Sequence, residues 1–151
     1  MENEIKTPAI MVDVDGTLAL MHHKRSPFDW DKVGMDLPNK SVITLVNNLY
    51  KLREIAYCAS EEIAILIMSG RDGSCNKETK NWLDEHKVKY DDFFMRPEGN
   101  FEKDSVVKHR IYIEEIYPHY DVQFVLDDRN QVVDMWRSIG LPCFQVAPGN
   151  F

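Results

Sequence analysis

Carboxylate side chains are concentrated at two places in the chain, each at the end of an apolar run. The first run ends in Asp13 and leads to Asp15, within the sequence D-V-D-G-T. A later run is followed directly by Asp127 and Asp128. Carboxylates can attack phosphorus, transfer protons and bind hard divalent cations. The residue types therefore indicate a catalytic, metal-dependent site if the fold brings the two places together.

Each acidic pair also has an ordinary explanation. Asp-Gly pairs often form tight turns, and single acids often cap helices. The sequence D-x-D-G-T after one apolar run, combined with D-D after a later run, is more specific than either signal alone. The combination favours the catalytic interpretation over two unrelated turns.

Short apolar runs alternate with longer helical patterns along the whole chain. Strands are predicted at residues 8–14, 63–68, 93–95, 122–126 and 143–146. Apolar spacing and stop signals predict helices at residues 40–57, 77–86, 102–117 and 131–139. Strands that alternate with helices form βαβ units and a parallel sheet. The sequence thus predicts an α/β fold, a Rossmann-like three-layer sandwich, with one irregular insert at residues 18–38.

The two acidic places also indicate a bound metal ion. In an open parallel sheet, ligands bind beyond the carboxyl ends of the strands, where the winding direction reverses. If the fourth strand lies beside the first, the four carboxylates meet at that point. Their repulsion would be severe without a divalent cation, and oxygen ligands suit Mg²⁺ better than Zn²⁺. We therefore expect Mg²⁺ as the cofactor.

Composition and charge narrow the class of protein. The 151 residues, 44% hydrophobic and 28% charged, suit one globular domain at residues 1–151. The formal net charge of −7 argues against an extended nucleic-acid groove, which is usually basic. The apolar runs are too short to cross a membrane, and the polar start of the chain does not resemble a signal peptide. A cytoplasmic location is expected.

Several side chains are expected to be structural. The cysteines Cys58, Cys75 and Cys143 are widely separated, so reduced thiols are expected, with Cys58 and Cys143 in or near the core. The large apolar side chains expected in the core are Met11, Met68, Met95, Trp82 and Trp136. No catalytic role is assigned to any of them.

Four short motifs of this chain resemble those of haloacid dehalogenase superfamily phosphatases. They are D-V-D-G-T at residues 13–17, S-G-R at 69–71, the lysine-bearing region 104–108 and D-D at 127–128. More narrowly, the chain is similar to the 3′-phosphatase domain of bacteriophage polynucleotide kinase–phosphatases. The further stretches that match are residues 24–29, 103–108, 127–137 and 145–151. The resemblance covers nearly the whole chain and implies the strand order 3-2-1-4-5, a small flap at residues 18–38 and no large cap.

The resemblance implies specific catalytic roles. Asp13 would attack phosphorus to form an acyl phosphate, and Asp15 would act as general acid and then as general base. Ser69 would donate a hydrogen bond to a phosphate oxygen, and Lys108 would neutralise charge at the phosphate. Asp104, one helical turn before Lys108, would hold that lysine in place. Taken alone, a serine before a glycine could be an ordinary turn, and a lysine on a helix is usually solvated.

The same resemblance implies ligands for the metal and the substrate. The metal ligands would be Asp13 through a carboxylate oxygen, Asp15 through its backbone carbonyl, Asp127 and Asp128. Which of the last two binds directly is left open. The substrate-binding residues would be Thr17, Gly70, Arg25 and Arg71, although either arginine could instead be a plain surface residue. Phe28 and Trp30 in the flap could stack a nucleobase or pin the flap to the body.

The activity that the resemblance implies is Mg²⁺-dependent removal of phosphate from 3′-phosphorylated ends of DNA or RNA, or from nucleotides. Two alternatives stay open: a mononucleotide phosphatase with the same mechanism, and a receiver-like signalling domain that stores a phosphoryl group on aspartate. No G-x-x-x-x-G-K-[ST] motif occurs, so no 5′-kinase activity is expected. If a phage encodes the chain, the expected location is the host cell cytoplasm. The sequence does not show whether the substrate is DNA or RNA, or whether a 2′,3′-cyclic phosphate is also cleaved. It equally leaves open the oligomeric state and whether a separate kinase or ligase is a partner.

Overall fold

The structure, a computed structural model, describes residues 5–55 and 63–151. Its strands are β1 (Thr7–Asp13), β2 (Ala19–Leu20), β3 (Leu37–Pro38), β4 (Ala64–Ser69), β5 (Asp92–Met95), β6 (Tyr120–Asp127) and β7 (Cys143–Gln145). Its α-helices are α1 (Lys40–Ile55), α2 (Asn76–Glu85), α3 (Asp104–Ile111) and α4 (Asn130–Ser138). Each predicted strand and helix is present among the described residues, most of them within a few residues of the expected bounds, so local apolar spacing was sufficient to locate them.

A parallel sheet lies at the centre of the described residues. Its strands stand in the spatial order β5-β4-β1-β6-β7, which is third, second, first, fourth and fifth along the chain. The predicted order 3-2-1-4-5 is therefore confirmed. The chain winds from β1 toward one edge and then returns to the other side of β1 with β6. The carboxyl ends of β1 and β6 consequently lie side by side, where ligands bind in such folds.

Successive side chains of the sheet point to two cores, one on each face, because strand residues alternate in direction. On one face, Met11 of β1 belongs to the same core as Trp136, and α3 and α4 cover it. On the other face, Val12 belongs to the same core as Trp82, and α1 and α2 cover it. The predicted three-layer sandwich is confirmed. Of the other side chains expected in the core, Met68 is buried, whereas Met95 on the edge strand β5 is half-buried.

The insert between β1 and α1 is not irregular, and that prediction is wrong. β2 and β3 pair as an antiparallel ribbon, with Leu20 opposite Leu37, and a 3-10 helix at Trp30–Met35 lies between them. The chain reverses after β1 because Gly16 adopts a φ of 81° and donates its N–H to the carbonyl of Ala19 at 2.8 Å. These local bonds keep the insert, which we call the flap, next to the carboxyl end of β1.

The helix predicted at residues 102–117 begins later and changes form near its end. α3 stops at Ile111, and the chain continues as a π-helical turn at Tyr112–Ile116. Tyr117 donates its N–H to the carbonyl of Tyr112 at 2.7 Å. The first and last side chains of this turn are both buried. Both side chains therefore belong to the core that α3 and α4 cover.

Two predictions fall on residues outside the described ranges. α1 is described as far as Ile55, so its predicted end at residue 57 lies beyond them, as does Cys58. Cys75 and Cys143 are free and buried, as was predicted for Cys143. Among the helices that the structure describes, none combines the length and the apolar character needed to cross a bilayer.

Candidate active site

Three buried aspartates meet at the carboxyl ends of β1 and β6. Asp13, Asp127 and Asp128 each offer a carboxylate oxygen, and these oxygens lie within 4.8 Å of one another. Val12 of β1 stands opposite Leu126 of β6, so the next residue of each strand reaches the same level. The backbone N–H of Asp128 donates to Asp127 Oδ1 at 2.9 Å, which fixes the carboxylate of Asp127 beside its own backbone. We call these three aspartates the acid cluster.

Lys108 of α3 is the cation that faces the acid cluster. Its Nζ atom donates to Asp13 Oδ1 at 2.7 Å and to Asp127 Oδ2 at 3.0 Å. Asp104, one helical turn earlier, has a carboxylate oxygen 3.6 Å from the same atom. Burial opposes the charge of this side chain, but the three carboxylates outweigh burial and raise the pKa of Lys108 well above its usual value. Lys108 therefore remains an ammonium inside the site.

The acid cluster carries more negative charge than Lys108 balances. Burial raises the pKa of Asp13 well above its usual value, and repulsion from the other two aspartates adds to the effect, although Lys108 opposes it. Burial, together with the neighbouring Asp127, raises the pKa of Asp128 to about 6. Three carboxylates thus share one ammonium in a region with little access to water.

A divalent cation bound by oxygen ligands fits this arrangement. The available donor atoms are carboxylate oxygens, which Mg²⁺ prefers, and their spacing lets them share one ion. A charge of +2 would offset the excess negative charge of the buried cluster. Asp13, Asp127 and Asp128 are the side chains that would hold the ion. The participation of the Asp15 carbonyl stays a prediction.

Unlike the acid cluster, Asp15 keeps 39% of its side chain exposed. Arg71 donates from Nε to Asp15 Oδ2 at 3.0 Å and from Nη2 to Asp15 Oδ1 at 2.9 Å. Arg25 of the flap donates from Nη2 to Asp15 Oδ1 at 3.4 Å. Two arginines from different parts of the chain thus orient one carboxylate that water and ligands can still reach.

Asp36, in the flap just after the 3-10 helix, anchors both arginines. Its carboxylate accepts from Arg25 Nε and Nη2, each at 2.7 Å, and from Arg71 Nη2 at 2.8 Å. The side chain is 0% exposed, and a charge buried this deeply must be paired. We call Arg25, Arg71, Asp15 and Asp36 the arginine clamp. Asp36 belongs to no short motif of the sequence, so sequence reasoning did not single it out. Its role becomes visible once both arginines are seen to be buried, because buried guanidinium groups need carboxylate partners.

The two arginines of the clamp are buried rather than at the surface. The remaining contacts of their guanidinium groups are to protein: Arg71 Nη1 donates to Thr79 Oγ1 and Arg25 Nη1 to the carbonyl of Ser26, both at 3.1 Å. Most N–H groups of the two guanidinium groups therefore have partners within the fold. In this structure Arg25 and Arg71 orient Asp15. Direct contact of either arginine with a substrate phosphate stays a prediction.

The hydroxyl groups predicted to bind phosphate also have partners in the fold. Thr17 Oγ1 donates to Asp13 Oδ2 at 3.1 Å, which fixes the orientation of that carboxylate. Ser69 Oγ accepts the N–H of Arg71 at 3.2 Å. A serine hydroxyl that accepts one bond still has its own proton to donate. The hydrogen bonds predicted from Ser69 and Thr17 to phosphate stay predictions.

Two glycines let acidic side chains approach the backbone closely. A Cβ atom at Gly16 would collide with the carboxylate of Asp128, and a Cβ atom at Gly70 would collide with the carboxylate of Asp104. Gly70, which was predicted to bind substrate, therefore makes room for the side chain that pairs with Lys108. Its own contact with substrate stays a prediction.

Two further side chains support the site and were not predicted to do so. Arg96, after β5, donates from Nε to the carbonyl of Gly70 at 2.7 Å and from Nη2 to Asp104 Oδ1 at 3.2 Å. Trp136, expected only in the core, also donates from Nε1 to Asp127 Oδ2 at 3.3 Å. The contact from Arg96 to Gly70 spans 26 residues, and no short motif marks either Arg96 or Trp136 as part of the site.

The aromatic residues of the flap contact each other. The rings of Phe28 and Trp30 meet edge to face with 6.3 Å between their centroids. Phe28 is 78% exposed, so this ring does not pin the flap to the body, whereas Trp30 is half-buried. An exposed aromatic ring can stack on a nucleobase of any sequence. Base stacking by Phe28 stays a prediction.

The five-stranded parallel sheet, its strand order and its likeness to a solved HAD domain show a haloacid dehalogenase-like fold. Residues 7–151 match the family described as the polynucleotide kinase PNKP phosphatase domain, and the chain belongs to that family. A protein of Autographa californica nuclear polyhedrosis virus, named "Putative bifunctional polynucleotide kinase/RNA ligase", is 36% identical over 136 residues. That match covers 89% of this chain and 18% of the viral protein.

Several solved structures are also similar to this chain. Chains in the Pnkp1/Rnl/Hen1 complex and in the Pnkp1/Rnl/Hen1 RNA repair complex are both 35% identical to this chain, each with a TM-score of 0.85. They cover 99% and 97% of this chain, which spans only 49% and 44% of their lengths. The HAD domain of effector protein Lem4 from Legionella pneumophila, at 16% identity and a TM-score of 0.50, matches 97% of this chain and 89% of its own length. That last likeness concerns the fold alone.

Proposed function

We propose that this chain is a Mg²⁺-dependent phosphatase that removes the 3′-terminal phosphate from DNA or RNA ends. The observation that carries the proposal is the setting of Asp13, which lies in the acid cluster with its Oδ1 atom 2.7 Å from Lys108. Two residues further on, the arginine clamp holds Asp15 with part of its side chain exposed. Membership of the PNKP phosphatase-domain family and likeness to a chain of an RNA repair complex support action on nucleic-acid ends.

The first step transfers the phosphoryl group to the protein. A carboxylate oxygen of Asp13 forms a bond to phosphorus, and the bond between phosphorus and the 3′-oxygen of the sugar breaks. Lys108 and Thr17 hold that carboxylate in one orientation, which lowers the entropic cost of attack. Because an alkoxide is a poor leaving group, Asp15 gives its proton to the departing oxygen. The products are an aspartyl phosphate and a free 3′-hydroxyl.

The second step returns the protein to its starting state. Asp15, now a carboxylate, takes a proton from a water molecule whose oxygen forms a bond to phosphorus. The bond between phosphorus and Asp13 breaks, which restores the carboxylate and releases inorganic phosphate. Since the clamp holds Asp15 from two sides, the same group stays in place for both proton transfers.

Positive charge is needed because a phosphate dianion would otherwise meet an excess of carboxylates. Asp13, Asp127 and Asp128 would hold Mg²⁺, which would supply charge that shields the phosphate from these side chains. Lys108 adds a fixed ammonium beside Asp13, where negative charge grows during the reaction.

The expected substrate is the end of a nucleic acid rather than a long stretch of its backbone. The chain has a net charge of −7, so its attraction for polyanions is confined to the site. The flap at residues 18–38 is small, which leaves room for a polymer end. We expect recognition of the terminal phosphate and one or two nucleotides. A single domain at residues 1–151 and a cytoplasmic location stay predictions.

A substrate panel tests the proposal. Turnover is measured on oligonucleotides of DNA and of RNA that carry a 3′-phosphate, on a 2′,3′-cyclic end, and on free 3′- and 5′-mononucleotides. Each reaction is run with Mg²⁺ and with EDTA. We expect the 3′-phosphorylated oligonucleotides to be the best substrates and EDTA to abolish turnover. If only mononucleotides react, the chain is a mononucleotide phosphatase that uses the same mechanism.

The aspartyl phosphate is tested separately. Rapid acid quenching of a reaction with substrate labelled in the phosphate should leave label on the protein, and peptide mapping should locate it on Asp13. Label that turns over slowly, with no release of phosphate from any substrate of the panel, would instead support a receiver-like protein that stores the phosphoryl group.

A further inference from the structure

The turn that carries Asp127 and Asp128 is held from behind by residues 145–149, which we call the bracing segment. The backbone N–H of Val146 donates to the carbonyl of Asp127 at 3.0 Å. The side chain of Gln145 donates from Nε2 to the carbonyl of Asp128 at 2.7 Å. The backbone carbonyls of both acidic residues are therefore tied to one neighbouring segment.

Gly149 brings the bracing segment into direct contact with the same turn. A Cβ atom at this position would collide with the carbonyl oxygen of Asp128 and crowd Arg129. The carbonyl of Gly149 also accepts the N–H of Asn130, the first residue of α4, at 2.9 Å. Its φ lies outside the left-handed region, so the close approach, and not the backbone conformation, requires glycine here.

The Asp128 side chain is confined on its other side as well. Its carboxylate lies against Gly16, where a Cβ atom would collide with it. Asp128 is thus packed between the reversing turn after β1 and the bracing segment. A shift of its backbone cannot be absorbed by a simple side-chain rotation, because the space at Gly16 is already filled.

We infer that Gln145 and Gly149 are positioning residues for the metal-binding carboxylates. Neither residue is expected to contact substrate or metal, and the role assigned to them rests on the proposed function. Instead, they set where Asp127 and Asp128 lie and thereby set the affinity for Mg²⁺. Groups that hold metal ligands in place typically change metal affinity by about 10- to 100-fold when they are removed.

Direct titration of the purified chain with Mg²⁺ in a calorimeter tests this role without measuring turnover. We expect Gly149→Ala to raise the Kd for Mg²⁺ by about 10- to 100-fold, because the added methyl group displaces the Asp128 carbonyl. Gly140→Ala is the matched control. Gly140 has a φ of 88° and open space around it, so alanine there strains the backbone far from the acid cluster. This control should lower the Tm and leave the Kd unchanged.

Gln145 provides a second variant that adds no atoms. Gln145→Ala removes the bonds to the Asp128 carbonyl and to Asn130 Oδ1, both 2.7 Å long, and we expect a Kd about tenfold higher. Gln145→Glu keeps the size but replaces the N–H donor with an acceptor. It should weaken Mg²⁺ binding at least as much as alanine does, whereas a residue that only fills space would tolerate it.

The outcomes separate the inference from the proposed function. If the native chain binds no Mg²⁺, both fail. If it binds Mg²⁺ and hydrolyses 3′-phosphates while Gln145→Ala and Gln145→Glu bind as tightly as the native chain, the inference alone is wrong. Should Gly149→Ala not fold, the two Gln145 variants decide. A raised Kd in both, with the Tm in EDTA within a few degrees of native, supports the positioning role.

Discussion

The acid cluster and the arginine clamp lie at the same edge of the sheet but differ in charge balance. The acid cluster sets three buried carboxylates against one ammonium, that of Lys108. The clamp sets two guanidinium groups against two carboxylates, those of Asp15 and Asp36. The charges of the clamp therefore balance within the fold, whereas the carboxylates of the acid cluster outnumber its ammonium, an excess that protons or a divalent cation would offset.

This difference separates Arg25, Arg71 and Asp36, whose charges hold Asp15 in place, from the acid cluster that contains the proposed nucleophile. In the clamp, each charge has an opposite charge within hydrogen-bonding distance, so forming the clamp is part of forming the fold. In the acid cluster, burial first and mutual repulsion second raise the pKa of Asp13 and Asp128, which is typical of functional sites. Changes at Asp36, which holds both arginines, should thus lower stability, and changes in the acid cluster should chiefly lower activity.

The largest expected effect concerns the nucleophile. Asp13→Asn should lower turnover of a 3′-phosphorylated oligonucleotide by roughly a thousandfold or more, because the amide cannot form the acyl phosphate. Its Tm in EDTA should not fall, since the variant removes one of three repelling carboxylates. Asp134→Asn, on the exposed face of α4, is the control and should be fully active. Retained activity in Asp13→Asn would mean that another group attacks phosphorus.

The next largest effect concerns the stability of the clamp. Asp36→Ala leaves two buried arginines without their shared partner and should lower the free energy of unfolding by about 3–5 kcal/mol. Urea unfolding followed by fluorescence measures it. Asp29→Ala is the control, because Asp29 pairs with Lys32 on the exposed side of the flap. Equal urea midpoints for Asp36→Ala and the native chain would contradict a structural role for the clamp.

Stabilisation by added Mg²⁺ should depend on the acid cluster and not on the arginine clamp. Mg²⁺ at about 100 times its Kd should stabilise the native chain by about 2.7 kcal/mol, which a rise in Tm over the EDTA value reports. Asp128→Asn should lose most of this rise. Asp36→Asn should start from a lower Tm but keep the rise, because its acid cluster is intact. A rise lost equally in both variants would mean that the two regions are not separable.

The smallest effect is expected at the exposed ion pair of Glu102 and Arg110, which serves as a reference for the buried ion pairs. Hydrogen bonds from Arg110, and then from Asn100, lower the pKa of Glu102 from 4.5 to about 2. A lowered pKa stabilises the fold above pH 4.5, and this contribution disappears as the pH falls from 4.5 toward 2. Glu102→Gln should therefore leave the Tm at pH 7 nearly unchanged and make its decline below pH 4.5 shallower. A large loss of Tm at pH 7 would contradict the weak contribution expected of exposed pairs.

The elements of the sheet and the meeting of Asp13 with Asp127 could be predicted because both depend on local patterns. Apolar runs locate the strands, and parallel winding brings their carboxyl ends to one edge. The π-helical turn after α3 could not be predicted, since it depends on which of its side chains find space in the core. Asp36 and Arg96 could not be predicted either, because Asp36 accepts from Arg71 and Arg96 donates to Gly70, and both partners lie far away in the sequence.

Reading the amino-acid sequence alone was enough to predict the class of fold, the order of the elements and the identity of the charged groups at the carboxyl edge. These follow from side-chain periodicity and from short motifs, which act over a few residues. Contacts across the fold, in contrast, set which charges are buried and which partners they have: Arg25 and Arg71 converge on Asp15, and three buried carboxylates face the ammonium of Lys108. Burial and pairing depend on contacts between distant segments, and the energy of a charge depends more on those contacts than on its neighbours in the chain.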